Sequence, residues 1–123
     1  MLDHLGINCS DLAASASFYD DVLGTLGHAR VMDFGVAIGY GTDKPDFWLS
    51  TFDGMGPNRE VHVAFSAPDA DAVRAFVEAA RARGAEILHE PRLWPEYHEA
   101  YFGGFVRDPD GNNVEAVCHH HAG

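Results

Sequence analysis

Residues 61–85 read "VHVAFSAPDADAVRAFVEAARARGA". The first six alternate, with Val61, Val63 and Phe65 on one side and His62, Ala64 and Ser66 on the other. That is the pattern of a strand covered on one face. Asp69 follows Pro68 and can accept from the free N–H groups of a first helical turn. Val73, Phe76, Val77 and Ala80 recur at i, i+3, i+4 and i+7, a one-sided apolar stripe. Arg81 and Arg83 lie in the last turn, where cations suit the helix dipole. Gly84 suits the left-handed position past the helix end. The stretch therefore predicts strand, cap, helix and stop.

The same order occurs earlier, in "DHLGINCSDLAASASFYDDVLG", residues 3–24. Setting His4 on His62, an offset of 58, puts Asp11 on Asp69 and Phe18 on Phe76. Here Ser10 or Asp11 caps the helix, Leu12, Tyr19, Val22 and Leu23 form its apolar side, and Gly24 or Gly27 stops it. Strand-like runs follow each helix, at 28–34, 35–40 and 46–52, then at 85–90, 101–107 and 112–118. The chain predicts one α+β domain over 1–123, built as two βαβββ modules. Their bounds are about 1–55 and 58–118, with a tail at 119–123. The stretch "HEPRLWPEYHEA", 89–100, is a long connector rich in Pro, Trp, Tyr and His. Loops of that length are often functional.

A length of 123 residues fits one domain. The formal charge of −11, from 19 acidic residues against 8 Lys and Arg, repels phosphate backbones. Nucleic acid is therefore an unsuitable partner, and a metal ion or small cation suits the field better. No apolar run has membrane-spanning length, and the N-terminus lacks the basic and apolar regions of a signal peptide. The expected location is cytoplasmic. Cys9 and Cys118 predict reduced, partly buried thiols rather than a disulfide framework. His119 to His121 predict a frayed native tail, outside the main site. The competing role for that tail is capture of adventitious metal.

Strand alternation groups the polar side chains. His4, Gly6 and Asn8 share one face of the first strand, opposite Leu5 and Ile7. In the last strand Asn113, Glu115 and Val117 lie opposite Val114, Ala116 and Cys118. The first copy offers "DFWLST", where Trp48 stands at the place of Glu115. His4, His62 and Glu115 on three strands make a ligand set for one divalent ion, Zn, Fe, Ni, Mn or Co. A lone strand histidine is more often a polar core or surface residue, and Glu115 could instead pair with Arg107. Repeat-related placement favours the ligand set. In 89–101, His98 supplies an imidazole, a group that titrates near ~6.5 and serves acid–base work. Tyr97 and Tyr101 can donate to a substrate oxygen, and Trp94 and Trp48 can wall a cavity. The same aromatics could simply pack the loop down.

These stretches, with "FVRDPDGNNVEAV" at 105–117, resemble the vicinal oxygen chelate superfamily over nearly the whole chain. That superfamily includes glyoxalase I, extradiol dioxygenases and bleomycin-resistance proteins. The resemblance implies an open, cup-shaped mixed sheet around a divalent metal, and a homodimer with sites at times on the subunit boundary. It implies metal ligation by His4, His62 and Glu115, with Glu115 doubling as base. His98 and Tyr101 are then candidate catalytic groups, and Trp48, Asn8 and Tyr97 candidate substrate contacts. Glyoxalase I has a fourth ligand where this chain has Trp48, which argues against lactoylglutathione lyase activity. The implied function is a metal-dependent lyase, isomerase or dioxygenase that chelates vicinal oxygens of a small substrate. The alternative is metal-free binding or sequestration of the bleomycin-resistance type.

Overall fold

The structure is a computed structural model that describes residues 1–120. The first module runs β1 (Leu5–Asn8), α1 (Leu12–Gly24), β2 (Ala29–Asp33), β3 (Ala37–Gly41) and β4 (Pro45–Ser50). The second runs β5 (His62–Ser66), α2 (Ala70–Ala82), β6 (Ile87–Leu93), β7 (Phe102–Arg107) and β8 (Asn113–Cys118). The βαβββ repeat is therefore present, with the same element order in both halves.

Local chemistry explains the helices. Asp69 accepts from the Ala72 N–H at 2.8 Å, and Asp11 accepts from the Ala14 N–H at 3.1 Å. Asp11, not Ser10, is the first cap; Ser10 instead donates to Asp110. The chain leaves the helices through Gly84 and Gly27, both at positive φ. The stripe Val73, Phe76, Val77 and Ala80 is buried as its spacing predicts.

Each module forms a four-stranded mixed sheet, ordered β1-β4-β3-β2 and β5-β8-β7-β6. In both, the first strand runs parallel to the last, and the helix carries the chain from the first strand to the second, at the far edge of the sheet. The register supports the repeat: Trp48 pairs with Gly6, and Glu115 pairs with Ala64. Gly6 and Ala64 are equivalent under the 58-residue offset. Among the described residues no ladder joins β1 to β5, so the expected cup is built from two separate sheets.

One core spans both modules. Phe65 of β5 packs edge-on against Phe47 of β4, with centroids 5.0 Å apart, and also meets Tyr19 of α1. The helices meet at Arg83, which donates to the Asp21 carboxylate at 2.8 Å and to Ser17. Asp108 of the turn before β8 accepts from the Tyr19 hydroxyl at 2.7 Å, fixing that turn to the first module. Among the described residues no helix is long and apolar enough to cross a membrane.

One boundary differs from the sequence reading. The expected connector 89–100 is strand up to Leu93, so the true loop is 94–101. Pro91 hid the second half of this strand, because proline cannot donate to a ladder. Here it lies in β6, an edge strand whose pairing with β7 shifts register twice.

Candidate active site around Glu115

β8 lies between β5 and β7, so both neighbours present side chains to its polar face. Ala64 of β5 and Phe105 of β7 are the register partners of Glu115. Glu115 is 1% exposed. A buried carboxylate is costly unless its lone pairs are met. Two side chains meet them. His62 Nε2 lies 2.9 Å from Oε1, and the Tyr101 hydroxyl donates to Oε2. Space for this arrangement comes from Gly103. A Cβ there would lie 3.0 Å from Glu115 Oε2 and 3.2 Å from the Tyr101 ring.

The orientation of His62 decides what the pair can do. Its Nδ1 lies 3.2 Å from the Asn113 carbonyl oxygen, which can only accept. Nδ1 therefore carries a proton. A neutral imidazole then turns the lone pair of Nε2 toward the carboxylate. Two electron-rich atoms 2.9 Å apart repel unless a proton or a cation lies between them. The arrangement suits either an imidazolium–carboxylate pair or two donors to one metal ion. A backbone carbonyl holding the remote N–H is a common support for a metal-binding histidine. The His62 ring stacks on Phe105, with centroids 5.9 Å apart, and the side chain is 49% exposed. It is thus the solvent-facing end of the pair.

Tyr101 is held as a donor. Burial first, and then its bond to Glu115, push the phenol well above its ordinary range. The loop behind it is anchored by Trp94, whose Nε1 donates to the Gly103 carbonyl at 2.9 Å. Arg92 covers the Trp94 ring at 3.4 Å, and Tyr97 stacks on it. Tyr97 also meets the Tyr101 ring at 4.9 Å. His98 lies 5.4 Å from the Tyr101 ring and contacts His119.

The site residues named from the sequence fall into two groups. His62, Glu115, Tyr101, Tyr97 and His98 come together on the second module. His4, Trp48 and Asn8 lie on the first. His4 bonds Asp3 at 2.7 Å and lines a cavity of about 370 Å³ with Tyr40 and Phe65. Trp48 lies across Gly39, parallel to Phe34 at 6.1 Å between centroids. Asn8 lines a cavity of about 620 Å³ with Phe52 and Arg59. Among the described residues no three His, Cys, Asp or Glu side chains are grouped to hold a metal. One chain supplies the donor pair His62 and Glu115, and those two fit a shared ion.

Sequence reasoning set His119 aside with the tail, yet its ring lies 5.1 Å from Tyr101. A signal was available: residues 115, 117 and 119 share a face by strand alternation. His120 instead meets the Pro68 carbonyl at 2.9 Å. His121 lies outside the described residues.

Comparison with known proteins agrees with this architecture. A glyoxalase/bleomycin resistance protein from Albidiferax ferrireducens T118 superposes with a TM-score of 0.81 at 28% identity, covering 93% of this chain and 95% of that one. A lactoylglutathione lyase from Agrobacterium tumefaciens gives 0.68 at 22% identity, covering 93% and 90%. The oxidase ChaP-H2 gives 0.68 at 22% identity, covering 99% and 95%. The last two likenesses show the fold alone. A search of curated proteins returned no match. The family profile matches residues 1–116, and the chain belongs to the glyoxalase/bleomycin resistance protein/dioxygenase superfamily.

Proposed function

We propose that the chain is a metal-dependent enzyme of the lyase, isomerase or dioxygenase kind, acting on a small substrate with two adjacent oxygens. The main support is the 2.9 Å contact between His62 Nε2 and a buried carboxylate, with His62 Nδ1 committed to a carbonyl. His62 and Glu115 would hold a divalent ion of the Zn, Fe, Ni, Mn or Co class. Such an ion, when bound, supplies positive charge that polarises a substrate carbonyl.

The protein's own groups have distinct tasks. Tyr101 holds Oε2 of Glu115, leaving Oε1 as the oxygen that takes a proton from the substrate. His62 is the half-exposed member of the pair and opens the site to solvent. Phe105 packs beside His62, and Trp94 packs against Phe105. His4 is 57% exposed at the equivalent position of the first module, so a second copy of the chain can present it. The working unit in this reading is a homodimer. Trp48 offers no ligand atom, which sets the reaction apart from that of lactoylglutathione lyase.

A second reading draws on the first module. Phe34 is 68% exposed and parallel to Trp48, an apolar wall in a chain of charge −11. That wall suits metal-free binding of a planar cation. Elemental analysis after purification without nickel chromatography separates the two. The enzyme reading predicts bound metal in the wild type and its loss in His62→Ala and Glu115→Gln. Metal-free wild type with EDTA-insensitive ligand binding would replace it with the second reading.

A further inference from the structure

We infer that His98 and His119 are positioning residues for Tyr101, and that they act only as a neutral, hydrogen-bonded imidazole pair. His98 Nε2 and His119 Nδ1 lie 3.0 Å apart, with the rings nearly parallel. The Ala100 N–H donates to His98 Nδ1 at 3.2 Å. Nδ1 of His98 therefore carries no proton, and Nε2 must. The bond runs from His98 Nε2–H to His119 Nδ1. This tautomer also shows that the pair is not a metal chelate as it stands, since the His98 nitrogen facing His119 is a donor.

The pair links two segments of separate origin. His98 belongs to the 94–101 loop, and His119 follows β8 directly. Both rings abut Tyr101 edge-on, at 5.4 and 5.1 Å. Tyr101 in turn donates to Glu115. The link thus fixes the ring that fixes the carboxylate. Tyr97 packs on the other side of Tyr101, and the Trp94 and Tyr101 backbones bond at 2.8 Å. Three rings pack on the phenol, those of Tyr97, His98 and His119, and the imidazole pair is the part that can change state.

Protonation of either ring removes one hydrogen bond, and protonation of His119 breaks the link itself. A proton on His119 Nδ1 removes the acceptor, and a proton on His98 Nδ1 removes the bond from Ala100. Acid therefore opens the pair, and neutral or alkaline pH closes it. The other charged and titratable groups around it are Tyr97 and Tyr101, Glu96 held by Arg92, Glu99 on the loop, His120 at the Pro68 carbonyl, and Arg74 over Phe102. None of these supplies a second acceptor to His98 Nε2 or a donor to His119 Nδ1 among the described residues.

The inference rests on Tyr101 as the donor to Glu115 and requires no metal. Nitrogen-15 NMR of the histidine rings in the protein as purified tests it, between pH 8 and pH 5.5. The expected result is a His98 Nε2–H tautomer at pH 8, and a change in the Tyr101 ring signals with the same midpoint as the His98 and His119 rings. His119→Phe should abolish that Tyr101 transition, and His120→Ala should preserve it. Tyr101 signals that ignore both histidines, or an unchanged transition in His119→Phe, would overturn the inference. Metal analysis of His62 and Glu115 variants reports on the enzyme reading instead, so the two ideas fail separately.

Discussion

Glu115 carries the account at the scale of single residues. Its side chain is buried, and its lone pairs face His62 and Tyr101. Gly103 is the third participant, because it leaves the space that the carboxylate and phenol occupy. Gly103→Ala should therefore push on both groups. Overpacking of this kind costs about 1–3 kcal/mol. Urea unfolding should show that loss, and an unchanged midpoint would mean that the neighbours yield freely. The face on which Glu115 lies was legible in the alternation of "NVEAV". So was the register match with Trp48, now seen as the pairs Ala64–Glu115 and Gly6–Trp48. What alternation could not supply was convergence across modules. It places His4 on a polar face, but the packing of one module on the other sets where that face points. In the structure His4 meets Asp3.

At the scale of elements, the two helices follow from short sequence signals. Asp69 and Asp11 each satisfy a first-turn N–H that has no partner within the helix. Asp69→Ala should cost about 1 kcal/mol of stability, in line with other lost caps. Thermal unfolding checks this, and Asp71→Ala gives a comparison within the same turn. A loss no greater in Asp69→Ala than in Asp71→Ala would remove the cap from the account. The element only half legible in the sequence was β6, expected at 85–90 and found at Ile87–Leu93. Its Pro91 and two register shifts broke the alternating pattern on which strand prediction relies. Edge position explains why the sheet tolerates them. His119 escaped for a different reason. Composition marked it as tail, whereas strand period placed it beside Tyr101.

At the scale of the whole molecule, three tyrosines tie distant parts together while bearing their protons. Tyr19 bonds Asp108 across the modules, Tyr40 bonds Asp20 of α1, and Tyr101 bonds Glu115. Burial is the leading cause that pushes each phenol upward, with the carboxylate partner adding to it. An unfolded phenol titrates near ~10. Above that pH the folded state holds more protons than the unfolded state, so stability falls as pH rises. Below it these groups contribute no slope. Urea midpoints should be flat between about pH 8 and 9 with respect to these groups and should drop by pH 11. A midpoint that held at pH 11 would contradict the assigned hydrogen bonds.

The same scale governs the central claim, since the donor pair lies in one module and His4 in the other. Anomalous scattering from crystals grown with zinc locates the ion directly. The account predicts a peak at about 2.0–2.2 Å from both His62 Nε2 and a Glu115 oxygen. A peak only at the C-terminal histidines, or none at saturating zinc, would contradict it.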